Sequence, residues 1–186
     1  MKRIAIFASG SGSNAENIAT YFADKECIDL VLILSNNPNA FVLDRAKTCA
    51  IPSFVFSKKD LNESTIVIDK LKEYNANIVI LAGFLLKIPS SLINAYPNRI
   101  VNIHPALLPN YGGKGMYGMN VHRAVVADKQ KESGISIHYV NEYYDEGNII
   151  FQAKCLLTTD DSPEEVAAKV QELEYTHYPR IIESII

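Results

Sequence analysis

Cysteine is scarce in this chain: Cys27, Cys49 and Cys155 are the only three in 186 residues, and none belongs to a C-x-x-C pair. An odd, widely spaced set fits neither a disulfide framework nor a zinc site. Reduced thiols in a cytoplasmic protein are the expectation, with no metal. A basic arm or lysine stripe is also missing. Lys and Arg number 18 against 21 Asp and Glu, a net charge of -3. That balance argues against a nucleic-acid partner. Long apolar runs are absent as well. The first run, residues 4–8, is too short to span a bilayer and gives way at once to Gly and Ser. It also lacks the length and cleavage site of a secretory signal, so it reads as a strand, and no membrane association is expected. No linker, repeat or low-complexity segment interrupts the chain.

What is present is an ordinary soluble composition, 48% hydrophobic and 21% charged. The length suits one domain that buries about 70% of its unfolded surface, so residues 1–186 are read as a single domain. Strand-length apolar runs alternate with helix-period segments. Residues 4–8 precede a helix with Ala15, Ile18, Ala19 and Phe22 on one stripe. Residues 30–34 precede a helix carrying Val42, Ala46 and Cys49. A short strand at 53–56 leads to a helix with a D-x-x-E start at Asp60 and Glu63 and with Val67, Leu71 and Tyr74 facing inward. Residues 78–82 form a near-continuous apolar run, as in a strand covered on both faces, and residues 100–104 form the next strand. Residues 134–140 and 148–157 read as an antiparallel pair near the C-terminal end. The last helix opens at Ser162-Pro163-Glu164-Glu165, a serine cap with proline first and glutamate third. The expected class is α/β and Rossmann-like: a mostly parallel twisted sheet flanked by helices, closed by an antiparallel pair.

Ser9-Gly10-Ser11-Gly12-Ser13-Asn14 follows the first strand and opens a helix. Glycine permits a tight turn, and exposed amides at a helix start favour an anion. Ser13 can cap that helix, with Glu16 in the capping-box position. The plain alternative is a strand-to-helix turn with a cap. The spacing also fits a dinucleotide fingerprint, but that reading needs an acidic residue at the end of the second strand. Ser35-Asn36-Asn37-Pro38 stands there instead, so a monophosphate ester fits better. No G-x-x-x-x-G-K-[ST] motif is present.

Residues 100–104 alternate so that Ile100, Asn102 and His104 share one face. An amide and an imidazole therefore lie together at the carboxyl end of a strand, where open α/β sheets place ligands. Asp145-Glu146-Gly147 occupies the turn between the late strands. Taken alone it is turn chemistry. Facing His104, Asp145 would favour the imidazolium, a proton donor and oxyanion stabiliser. Sequence alone does not bring the two together.

Asn102-Ile103-His104-Pro105-Ala106-Leu107-Leu108-Pro109, followed by Asp145-Glu146-Gly147, resembles the folate-dependent formyltransferases. The resemblance covers essentially the whole chain, with Ala82-Gly83-Phe84, His122-Arg123, Glu174 and Tyr178-Pro179 adding to it. The Gly-Ser-Asn loop marks the branch acting on glycinamide ribonucleotide. The resemblance implies transfer of a formyl group from 10-formyltetrahydrofolate, a co-substrate, to that ribonucleotide's amine. It implies Asn102, His104 and Asp145 as the catalytic set. Gly12, Ser13 and Asn14 would hold the phosphate and Glu174 the glycinamide end. Leu85, Leu86, Lys87, Ile88, Val140 and Asn141, with Asn102, would line the pterin pocket. For Glu174 the alternative is a solvated helix residue bordering the core, and for residues 85–88 it is plain core packing.

Two departures from the family pattern stand out. Leu85-Leu86-Lys87 replaces Met-Arg-Ile, and residues 57–64 offer Lys58 and Lys59 but no arginine for the folate's glutamate tail. The glycine-rich 110–120 loop reads equally as a mobile lid or a surface connection. His122 follows it without an assigned role, and His138 and His177 read as structural. The chain ends soon after Glu174 and its first strand starts at Arg3 or Ile4. Neither the extra tRNA-binding domain of methionyl-tRNA formyltransferases nor the N-terminal domain of formyltetrahydrofolate deformylases is therefore expected. A non-catalytic phosphate-ester-binding domain is the reading from another class. Partners are expected to be small molecules, with the protein a monomer or homodimer.

Overall fold

The computed structural model describes residues 1–186. Its elements are β1 (Lys2–Phe7), α1 (Ser13–Phe22), β2 (Ile28–Ser35), α2 (Val42–Thr48), β3 (Ser53–Val55), α3 (Lys58–Glu63), α4 (Ile66–Glu73), β4 (Ile78–Leu81), α5 (Ser90–Ala95), β5 (Ile100–His104), α6 (Met119–Ala127), β6 (Glu132–Tyr139), β7 (Ile149–Leu156) and α7 (Pro163–Ile185). The seven strands run in the order β3-β2-β1-β4-β5-β6-β7. β1 pairs in parallel with β2 and β4, β2 in parallel with β3, and β6 with β7 antiparallel. This is the expected α/β class, mostly parallel with a late antiparallel pair. By compactness the chain divides inside β5, into Met1–Val101 (with Ile186) and Asn102–Ile185.

In the first unit, Ile4, Ala5, Ile6 and Phe7 of β1 are fully buried, and all of β4 is buried beside them. Burial on both faces explains why these strands are apolar throughout rather than alternating. Ala15, Ile18 and Phe22 of α1, Val42 and Ala46 of α2, and Val67 and Leu71 of α4 supply helical stripes to the core. β2 and β4 flank β1 on opposite sides. The loops after β1 and β4 therefore open at the switch point of the strand order, where this architecture binds ligands.

In the second unit, β6 alternates. Ile135 and Ile137 are buried on one face, while Ser136 and His138 are buried on the other. A strand that buries polar side chains must give them partners. On α7, Val166, Val170, Tyr178 and Ile182 are buried at four-residue spacing, and half-buried Glu174 completes the series. Ser162 and Glu165 form the expected reciprocal cap. Glu165 N–H donates to Ser162 Oγ at 3.2 Å, and Ser162 N–H donates to the Glu165 carboxylate at 2.7 Å.

Several local expectations are corrected. Ser13 is not the cap of α1. Gly12 takes that place with φ 74°, no side chain caps the helix, and the Glu16 carboxylate pairs with Arg45. The Asp60–Glu63 start is displaced too: Ser57 caps α3, with Asp60 as its third residue completing the box. That segment is two helices, because Ser64 is extended and ends α3 before Ile66 begins α4. Tyr74 is half-buried where an inward-facing residue was expected, and the short α5 was not expected at all.

Candidate active site

In the first unit, the loop after β1 is held from two sides. Val42 N–H donates to the Gly10 carbonyl at 3.1 Å, and Arg45 Nε donates to the Ser11 carbonyl at 2.9 Å. The first helical bond of α1 runs from Glu16 N–H to the Gly12 carbonyl at 2.9 Å. Amides earlier in the helix have no intrahelical acceptor, and donors of this kind suit an anion. Gly12 is required here. Its φ is left-handed, and a Cβ would collide with Val42, backbone included.

Ser9 joins this loop to the one after β4. Its amide donates to the Gly83 carbonyl at 3.1 Å, its hydroxyl accepts from Leu85 N–H at 2.9 Å, and it donates to Asn36 Oδ1 at 2.6 Å. Beneath the joint, the Phe7 and Phe84 rings meet edge-to-face at 5.2 Å. The loop that leads to Gly12, Ser13 and Asn14 is thus tied at Ser9 to the start of the 85–88 segment. Leu85 is exposed, Leu86 half-buried, Lys87 exposed and Ile88 buried.

In the second unit, four polar side chains converge. Asp145 Oδ2 lies 3.6 Å from His104 Nδ1, and Asp145 Oδ1 lies 3.7 Å from His138 Nε2. Gly113 N–H donates to Asp145 Oδ2 at 2.9 Å. Asn102 Nδ2 lies 3.1 Å from His138 Nε2, and His138 Nδ1 lies 2.9 Å from the Tyr139 carbonyl. A carbonyl only accepts, so Nδ1 carries the His138 proton and Nε2 accepts from the Asn102 amide. On the same logic His104 Nε2 donates to the Tyr111 carbonyl, 2.7 Å away. Both histidines are almost fully buried, at 3% and 2% exposure. Burial holds His138 below its ordinary value, against the opposing pull of its Tyr139 bond and the Asp145 charge. His122 is also held down, first by burial and then by the neighbouring His104 charge, and its buried Nδ1 has no hydrogen-bond partner.

This geometry has counterparts among known proteins. A family profile described as "Formyl transferase" matches residues 2–182. The chain is 34% identical to phosphoribosylglycinamide formyltransferase of Bacillus subtilis over 191 residues, covering 100% of this chain and 95% of that protein. The chain belongs to the formyl transferase family. It is also 40% identical to the chloroplastic phosphoribosylglycinamide formyltransferase of Arabidopsis thaliana, over 99% of this chain but 65% of that protein's length. The phosphoribosylglycinamide formyltransferase structure from Streptococcus pneumoniae superposes with a TM-score of 0.88 at 33% identity, covering 100% of this chain and 99% of that one.

Within this family member, the second unit brings Asn102, His104 and Asp145 together, and half-buried Val140 and Asn141 stand on the loop that leads to Asp145. Glu174 lies on α7, where burial first, and the Glu174 charge second, hold the fully buried Tyr178 phenol well above its ordinary value. Gly12, Ser13, Asn14 and residues 85–88 belong to the first unit. His138, which the sequence reads as structural, is satisfied at both ring nitrogens, and its Nε2 faces Asn102 and Asp145. The alternation of Ser136 and His138 with Ile135 and Ile137 is the sequence signal for that polar face.

Two outcomes follow from this geometry. Gly12→Ala should lower stability by about 1–3 kcal/mol through overpacking against Val42 and weaken binding of a phosphate monoester. Urea unfolding and titration calorimetry measure these. With His138 and His122 held below 6.5 by burial, the unfolded chain binds protons more readily on the acid side. Stability should be full above about pH 6.5 and fall below it. His138→Gln keeps an acceptor for Asn102 and should lessen that fall, read from urea midpoints on both sides of the transition.

Proposed function

We propose that the chain is a phosphoribosylglycinamide formyltransferase, moving the formyl group of 10-formyltetrahydrofolate onto the amine of glycinamide ribonucleotide in purine synthesis. The observation that carries this reading is the Asp145–His104 pair beside Asn102, in a formyl transferase family member that also has the Gly12-Ser13-Asn14 helix start. The division of labour follows from the chemistry each part offers. Amides at the start of α1 suit the ribonucleotide phosphate. Glu174 suits the cationic or hydrogen-bonding glycinamide end. Residues 85–88, Val140 and Asn141 supply backbone groups and apolar cover for the pterin.

In the reaction the ribonucleotide amine attacks the formyl carbon, and the carbonyl oxygen takes up the displaced electron pair. Asn102 Nδ2 and the His104 imidazolium stabilise that oxyanion. The bond from the formyl carbon to the folate nitrogen then breaks, and the nitrogen takes a proton from His104. The amine's surplus proton returns to the imidazole through water, which closes the cycle. Asp145 fixes the ring through Nδ1 and balances its charge. Substrate displaces the Tyr111 carbonyl from Nε2, so the ring is held in place before the substrate arrives and freed by it.

The enzyme acts on small molecules, as a monomer or homodimer. Its three free thiols suit the cytoplasm. No helix is long and apolar enough to cross a membrane.

The test mixes the chain with both substrates and follows tetrahydrofolate release. Turnover that requires the ribonucleotide is expected, and its absence would contradict the reading. His104→Ala should lose about 100- to 10,000-fold in kcat, the usual contribution of a positioned acid, with an unchanged circular dichroism spectrum. Near-normal turnover in that variant would remove His104 from the mechanism.

A further inference from the structure

We propose that Gln152, on the exposed edge of β7, is a positioning residue for the transfer, acting through Ser136 on the turn that follows His104. The inference rests on the transfer reading above. After β5 the chain turns through Pro105-Ala106-Leu107-Leu108-Pro109. The prolines donate nothing, so the buried backbone groups between them need outside partners. One bond closes the turn from within, Asn110 N–H to the Leu107 carbonyl at 3.1 Å. Two side chains supply partners for Ala106 and Leu108. Ser136 Oγ donates to the Ala106 carbonyl at 2.7 Å and accepts from Leu108 N–H at 2.9 Å. Gln152 Nε2 donates to Ser136 Oγ at 2.7 Å and to the Leu108 carbonyl at 3.0 Å.

The hydrogen-bond count closes. A hydroxyl has one hydrogen and two lone pairs, and Ser136 uses all three; an amide nitrogen has two hydrogens, and Gln152 uses both. Ser136 and Gln152 are direct cross-strand partners in the β6–β7 register, so the sheet itself holds them at this spacing. Without the Gln152 amide, the Leu108 carbonyl loses its donor and the Ser136 hydroxyl is no longer locked in one orientation.

The clamp reaches the reacting groups at both ends of the turn. His104 immediately precedes it, and the Tyr111 carbonyl that receives His104 Nε2 follows three residues after Leu108. The Leu108 side chain also packs beneath Gly112. A Cβ on Gly112 would lie 2.7 Å from Leu108 Cδ2 and 3.3 Å from Asp145 Cβ. A shift of Leu108 is therefore passed to His104, to its carbonyl partner and to Asp145 together. Gln152 is itself exposed, so its amide can be removed without opening the core.

The experiment uses Gln152→Leu, which keeps the size of the side chain and removes both donors. We expect kcat to fall by about 10- to 100-fold, the usual cost of a displacement near 1 Å at a reacting group, with the ribonucleotide KM within about 2-fold because the 10–14 loop is untouched. The ring proton signals of His104, assigned by their loss in His104→Ala, should be displaced. Wild-type kcat in Gln152→Leu, or unmoved His104 signals, would overturn the proposal. If the unsubstituted chain performs no transfer, the functional reading fails instead. The ring signals then decide the clamp alone, displacement supporting it and its absence refuting it.

Discussion

The Asp145 carboxylate is the constraint on which the polar centre depends. Its backbone is left-handed, φ 56°, a conformation that costs an ordinary residue about 1–2 kcal/mol. Aspartate tolerates it better than most. The compensation is local. A hydrogen bond from an amide to a charged acceptor contributes about 1.5–3 kcal/mol, and Gly113 makes one at 2.9 Å. The same carboxylate faces His104 with one oxygen and His138 with the other. Remove it, and buried His104 loses the carboxylate opposite its Nδ1 while the Gly113 amide loses its acceptor.

The turns that adjoin the candidate residues are held in place by particular side chains. Ser9 ties the turn after β1 to the turn after β4, and Arg45 holds the Ser11 carbonyl from α2. In the second unit Ser136 and Gln152 hold the turn after β5. Each device is a polar side chain, Ser9 from the loop itself and Arg45, Ser136 and Gln152 from a helix or strand, that supplies partners a turn cannot find within itself. Fold and function connect at this point. The parallel strands of the first unit bring loop ends to the switch point, and strand-borne hydroxyls and amides decide where those loops come to rest.

Much of the architecture was legible because it rests on period. The two-residue alternation of a strand put Asn102 and His104 on one face, and the strand at 100–104 lies where its apolar pattern placed it. The Ser162 cap and the antiparallel pair were also readable, since both depend on residues close in sequence. What could not be read depends on tertiary position. The meeting of Asp145 with His104 needs two segments 41 positions apart to be brought together by β6. His138 reads as satisfied core and is one, but that its Nε2 faces both Asn102 and Asp145 depends on tertiary position. The Ser13 cap failed because Gly12 could take the left-handed backbone that places the helix start against α2, leaving Glu16 to Arg45. Ser57, three residues upstream of Asp60, is the stronger local cap, because Asp60 completes its box.

The most direct test follows a ¹³C-labelled formyl group through one turnover of the unsubstituted chain and of Asp145→Asn, each mixed with 10-formyltetrahydrofolate and glycinamide ribonucleotide. The account predicts that the label moves to the ribonucleotide amide in the first and stays on the folate, in a folded protein, in the second. Label appearing as free formate with the unsubstituted chain, or moving at full rate without the Asp145 carboxylate, would contradict it.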